Sequence, residues 1–227
     1  MAASKLSDSL KLVLLGKTGA GKSASGNTIL GREAFESYES SASVTRDVAV
    51  ESGIVCKRWV SVYDTPGLFH TELSEAEIQQ IYESVLQECA SDLCVFLLVI
   101  KADRFTAEER EAVEKIEELL GDDHLENTWI LFTRGDELED ENMTIDAFIS
   151  NTTALKRVVQ KYGQRYHVFN NTMKGPSDQV EKLLMFNKTT KGRRGKARKL
   201  LEHILQRVHG PQIIRGVPVA ETGALYK

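Results

Sequence analysis

The chain has 227 residues, 41% hydrophobic and 27% charged, with a formal net charge of −4 at pH 7. That is enough apolar material for one domain with a real core, and the acidic balance argues against a general nucleic-acid binder, which carries a basic excess. Three cysteines, Cys56, Cys89 and Cys94, lack metal-ligand spacing and are too few for a disulfide framework, so a reducing, cytoplasmic setting is the expectation.

Taken in order, Leu10–Leu15 reads as a strand, followed by a glycine-rich stretch and a helix over Lys22–Leu30. Val44–Ile54 and Arg58–Tyr63 read as two strands of a hairpin, with Gly53 marking the connection. Leu73, Ile78, Ile81, Val85 and Leu86 recur at helical spacing across Ser74–Glu88. Leu93–Ile100 is the longest apolar run, the length of a buried central strand and far short of a membrane span. Thr106 and Glu109 form a capping-box pattern before a helix to Leu120, and Gly121 follows its end. Thr128–Thr133 is a further strand, Thr144–Tyr162 holds one or two helices, and Tyr166–Phe169 is a short last strand before a C-terminal helical region. Such alternation predicts an α/β fold, a mostly parallel central sheet with helices on both faces, binding its ligand at the carboxyl ends of the strands.

Gly16, Gly21, Lys22 and Ser23 spell G-x-x-x-x-G-K-S between a strand and a helix, the context a P-loop requires. The backbone of Gly16, Thr18, Gly19, Ala20, Gly21 and Ala24 would wrap a phosphate, with the helix N-terminus adding its positive end. Lys22 would reach the terminal phosphates and Ser23 would ligate magnesium. The plainer alternative is a glycine-rich turn without ligand. At the end of the next strand, Asp64-Thr65-Pro66-Gly67 pairs an acid that can hold magnesium through water with a glycine whose N–H can meet the γ-phosphate. Alone, those four residues also make an ordinary turn.

Thr133-Arg134-Gly135-Asp136 follows the strand Trp129–Phe132. Guanine presents two adjacent N–H donors that one carboxylate can accept, a role for Asp136, while the stem of Arg134 can lie along the base. Thr133 and Arg134 both depart from the usual Asn-Lys-x-Asp pattern. Asn170 and Asn171 can offer an amide or backbone N–H to the guanine oxygen, although Asn-Asn is also a common loop pair. GTP or GDP with magnesium is the expected cofactor, and an ATPase is the lesser alternative.

GKTGAGKSASGNTILG, SVTRDV, DTPGLF, VFLLVIKADRFTAEE, FTRGDEL and RYHVFNN resemble, in order, the immunity-associated GTPases of the AIG1/GIMAP family over residues 9–172. The resemblance implies a three-layer P-loop GTPase domain over residues 9–180. A short tail (1–8) precedes it; a basic helical extension (181–209) and a flexible tail (210–227) follow. It also implies that Thr45 joins Ser23 and Asp64 on magnesium, and that domains pair across their nucleotide faces as homodimers. The plainer role of Thr45 is to open a strand.

Where Ras-like enzymes place a water-orienting glutamine, this chain has Leu68, so intrinsic turnover should be slow. Phe69 beside it can pack at an interface. Thr18 would crowd an arginine approaching from the usual direction. Arg104, in the loop after the central strand, is the candidate to reach across a dimer as an arginine finger; a solvated loop arginine or a structural ion pair is the alternative. His70 is a weaker candidate to position water, since a lone loop histidine is usually exposed. A GTP-loaded scaffold that scarcely turns over is the competing function.

From Lys188 to Lys199 the chain has seven Lys or Arg and no acid, interrupted by Gly192 and Gly195. Residues 197–208 are amphipathic, with Leu200, Leu201, Ile204, Leu205 and Val208 on one side. A terminal helix with a solvated basic face is the favoured reading, and weak contact with acidic lipid the alternative.

Overall fold

The computed structural model describes residues 9–37, 47–70, 72–89, 93–172 and 178–185. In it, β1 (Leu10–Leu15), β2 (Ala49–Val55), β3 (Arg58–Asp64), β4 (Leu93–Lys101), β5 (Thr128–Thr133) and β6 (Tyr166–Val168) form one six-stranded sheet. Their spatial order is β2-β3-β1-β4-β5-β6, and β2 alone runs antiparallel to its neighbour. The helices are α1 (Lys22–Leu30), α2 (Glu75–Cys89), α3 (Ala107–Leu120), α4 (Asp122–Leu125), α5 (Gly135–Asp140), α6 (Ile145–Asn151), α7 (Thr153–Lys161) and α8 (residues 178–185).

Strand alternation divides the core into two layers. Val13 and Leu15 of β1 face Ile78, Tyr82, Ile116, Phe148 and Leu155, contributed by α2, α3, α6 and α7. Leu10, Leu12 and Leu14 face Ile29 of α1 and Leu183 and Leu184 of α8. Because both faces are covered, β4 can be apolar almost throughout, as its sequence requires. The α8 helix runs across residue 180, where the sequence suggested a domain boundary. Residues 186–227, a separate unit that includes the basic segment, lie outside the described residues. Among the described residues no helix is long and apolar enough to cross a membrane.

Local chemistry explains where elements start and stop. Thr106 donates its N–H to the Glu109 carboxylate at 2.9 Å, while its hydroxyl receives the Glu109 N–H at 3.4 Å, completing the capping box of α3. Two expectations need correction. The hairpin turns at Cys56 and Lys57, both at positive φ (49° and 64°), and Gly53 lies inside β2 opposite Val60. A two-residue turn of this twist normally carries Asn-Gly or Asp-Gly, so Cys-Lys gives no sequence signal. Three cysteines are too few for a framework, yet one bridge is present: Cys89 at the end of α2 is joined to Cys94 in β4, while Cys56 is free and exposed.

All of β1, β3, β4 and β5 end on the same edge of the sheet. The loops leaving that edge contain Gly16, Thr65–Leu68, Ala102–Thr106 and Arg134, so the parallel topology alone collects the candidate residues in one place.

Candidate functional site

The end of the site expected to hold phosphate is built from two backbone segments pressed together. Gly16 leaves β1 at φ 150°, and a Cβ there would lie 2.6 Å from the Val99 carbonyl oxygen. At Gly67 a Cβ would fall 2.4 Å from Thr18 Oγ1 and 2.5 Å from the Thr18 nitrogen, so only glycine permits this approach. The Thr18 N–H donates to the Leu68 carbonyl at 3.3 Å, and the Leu68 N–H donates to the Gly16 carbonyl at 3.1 Å. Lys17 and Leu68 thus form a small parallel bridge that makes the P-loop and the Asp64–Leu68 turn one surface. Gly19, Ala20 and Gly21 close the loop, and Ser23 and Ala24 sit in the first turn of α1.

Inside this cradle Lys22 is only 7% exposed, with Nζ 3.0 Å from the Lys17 carbonyl oxygen and 3.3 Å from that of Gly16. Burial lowers its pKa to about 8, against the opposing attraction of Asp64. Among the described residues this ammonium is bonded to carbonyl dipoles and paired with no carboxylate, which is the chemistry an anion would satisfy. Beside it, Ser23 Oγ donates to Asp64 Oδ2 at 2.6 Å. A hydroxyl and a carboxylate oxygen in contact, without thiol or imidazole, fit a hard cation such as magnesium. The turn carrying Asp64 is fixed from behind: Thr65 Oγ1 donates to the Leu14 carbonyl at 2.6 Å, and the Tyr82 hydroxyl, pushed up to about 12 by burial, donates to that of Pro66 at 3.4 Å.

The end expected to hold the base is assembled differently. Thr133, where an asparagine is usual, donates its hydroxyl to the Ala20 carbonyl at 2.9 Å and so ties β5 directly to the P-loop. Arg134 adopts φ 64° ahead of α5, and its guanidinium pairs with Glu137 at 2.8 Å and with Asp103 at 3.8 Å. Asp136 follows in the first turn of α5, half-buried. The Gly135 N–H donates to the Phe169 carbonyl at 3.0 Å, bringing the Asn170-Asn171 loop alongside. Both asparagine carboxamides are engaged within the protein. Asn170 Oδ1 accepts from the N–H and hydroxyl of Thr172, at 2.9 and 2.6 Å. Asn171 donates to Ser25 Oγ at 3.2 Å and accepts from the Thr28 hydroxyl at 2.8 Å, anchoring the loop on α1.

Arg104 is exposed in the loop after β4 and, among the described residues, its side chain enters no hydrogen bond or ion pair. Thr45 lies outside the described residues. Leu68 is 1% exposed and presents no polar side chain, whereas Phe69 is 41% exposed at φ 62°. His70 corrects an expectation: it is buried rather than solvated, with Nδ1 accepting the Glu72 N–H at 3.1 Å. The sequence did not reveal the pairing of Lys17 with Glu108 (2.5 Å) and Glu109 (3.8 Å), since nothing in residues so distant along the chain announces a contact.

A glycine-rich loop around a buried lysine, a hydroxyl–carboxylate pair at the next strand end and an acid after β5 define a P-loop domain of the GTPase type. The fold agrees with solved structures of GTPases. A chain of a structure described as showing that dimerization is important for the GTPase activity of chloroplast translocon components atToc33 and psToc159 matches with a TM-score of 0.57 at 19% identity, over 80% of this chain and 82% of that one. Toc33 from Arabidopsis thaliana with Mg2+ and GMPPNP matches at 0.52 and 16% identity, over 76% and 75%. A family model described as the AIG1 family matches residues 10–208, and the chain belongs to that family. GTPase IMAP family member 8 of Homo sapiens is 37% identical over 175 residues, 77% of this chain and 26% of the relative. Its Mus musculus counterpart is 42% identical over 164 residues, 71% and 23%. Immune-associated nucleotide-binding protein 3 of Arabidopsis thaliana is 33% identical over 179 residues, 77% and 54%. The chain therefore spans about a quarter of the length of the first two and about half of the third.

Proposed function

We propose that the chain binds a guanine nucleotide with magnesium along the carboxyl edge of its sheet and hydrolyses GTP slowly, faster when two copies meet across their nucleotide faces. The observation that carries the reading is Lys22, a buried cation with a lowered pKa in a cradle of backbone carbonyls, beside the Ser23–Asp64 pair. Lys22 would hold the terminal phosphates. Ser23 and Asp64 would hold the magnesium, joined by Thr45. Bound magnesium neutralises charge on the phosphate oxygens. Asp136 accepts the two N–H donors of guanine; an adenine presents no such pair.

Slow turnover follows from Leu68, which is buried against the P-loop and supplies no group to orient water. Exposed Arg104, whose side chain has no polar partner among the described residues, is available to a second copy, and exposed Phe69 offers an apolar contact at the same edge of the sheet. The dimerization described for the chloroplast translocon components supports this arrangement. An arginine finger is worth roughly 10³ to 10⁵ in rate where it operates. The second reading, a GTP-loaded scaffold with negligible turnover, is favoured by the same Leu68. GTP turnover per protomer, at saturating nucleotide and magnesium across a wide range of protein concentration, separates them. A rising specific rate supports the dimer-assisted enzyme, and a flat rate near zero with nucleotide bound supports the scaffold.

A further inference from the structure

Arg104 is of use to a second copy only if the backbone that presents it is held, because an arginine offered from a misplaced loop loses most of its effect. The residues on either side of it are held at several points. On its N-terminal side, the Ala102 N–H donates to the Thr133 carbonyl at 3.0 Å. Asp103 accepts the Arg104 N–H at 2.5 Å and pairs with the Arg134 guanidinium at 3.8 Å. On its C-terminal side, Thr106 is locked into the capping box by Glu109. Lys17 of the P-loop then grips the same turn, with Nζ 2.5 Å from Glu108 and 3.8 Å from Glu109. The loop carrying Arg104 is therefore strung between the segment expected to hold the base and the loop expected to hold the phosphates.

We propose that Asp103 and Glu108 are positioning residues for Arg104, tethering its loop to the base end through Arg134 and to the phosphate end through Lys17. This inference rests on the reading of Arg104 as the group offered to a second copy. Both ion pairs are partly exposed, and such pairs contribute little to folding. That weakness suits an adjustable tether better than a structural lock. A shift of Arg134 around a base, or of Lys17 around phosphate, is passed to the one exposed arginine between them. The tethers thus link completion of both halves of the site to presentation of Arg104.

The test compares Asp103→Asn, Glu108→Gln and the double variant with wild type and with Arg104→Ala. Asparagine still accepts the Arg104 N–H, and Glu108→Gln leaves the Thr106–Glu109 capping box intact. Turnover of magnesium-GTP is followed against protein concentration, alongside GDP affinity and the urea midpoint. The double variant is expected to lose at least about tenfold of the concentration-dependent acceleration. Its dilute turnover and GDP affinity stay within about twofold of wild type, and Glu108→Asp with Asp103→Glu recovers part of the loss. Wild-type acceleration in the double variant, with Arg104→Ala inactive in the same assay, overturns the tethers alone. Loss of GDP affinity in step with turnover also overturns them, by making these residues part of the binding site. Full acceleration in Arg104→Ala, or none in wild type, overturns the arginine reading and the tethers with it.

Discussion

The two ends of the site solve their problems with different materials. At the phosphate end two backbone segments are bonded to each other, Gly16 and Gly67 cannot be replaced without moving Val99 or Thr18, and Lys22, Asp64 and Thr65 are almost fully buried. At the base end side chains make most of the ties beside the Gly135–Phe169 backbone bond, Arg134 is partly exposed, and Thr133 reaches the P-loop by a single hydroxyl. Backbone cradles demand particular residues at particular spacings. Side-chain ties can be made by several residue types, and here Thr and Arg stand where Asn and Lys are usual.

The largest expected effect is at Lys22. Lys22→Met should lower nucleotide affinity by about 10²-fold or more, since a buried charged contact is lost. Without nucleotide the same variant should be more stable at pH 7, by at most about 3 kcal/mol, because the folded state no longer buries a charge. The sign with pH is definite. Below about pH 8 the lysine is protonated in both states and the burial cost is complete. Between there and its ordinary value the unfolded state binds the extra proton, so wild-type stability rises with pH relative to Lys22→Met. Urea melts of the two proteins from pH 7 to 10 check this, and a pH-independent difference would break the assignment.

Next comes Asp136→Asn, expected to cost about 10²-fold in GDP affinity by removing the carboxylate proposed to accept two guanine donors, while ADP binding is unchanged. Competition binding reads both, and equal losses for the two nucleotides would contradict a base-specific role. Gly67→Ala should destabilise the fold by about 1–3 kcal/mol, as the new Cβ meets Thr18. Smallest is Thr133→Val, which keeps the shape but removes the hydroxyl from the Ala20 carbonyl; about 1 kcal/mol is expected by denaturation. A larger loss of nucleotide affinity than of stability would show that this tie aligns the two ends.

The same contrast governs what could be read from the sequence. The P-loop, the Asp64 turn and the capping box of α3 were legible because glycine, lysine and Thr-x-x-Glu are required by backbone geometry. Strands β1, β4 and β5 were legible as bounded apolar runs, whereas β2 runs from Ala49 rather than from Val44 and carries Glu51, Ser52 and Gly53 within it. The Cys56-Lys57 turn was hidden because its left-handed residues are not the ones that prefer that conformation. The burial of His70 depends on where the Lys17–Leu68 bridge turns the chain, a tertiary fact. Likewise the engagement of Asn171 with Ser25 and Thr28, and of Lys17 with Glu108, joins residues far apart in sequence.

The most direct test of guanine recognition at this site is the affinity of the wild-type chain for GDP and for ADP, with and without magnesium. The proposed site predicts GDP bound about 10²-fold or more tightly than ADP, with magnesium strengthening the complex. Equal affinity for the two nucleotides, or no binding of either, would contradict it.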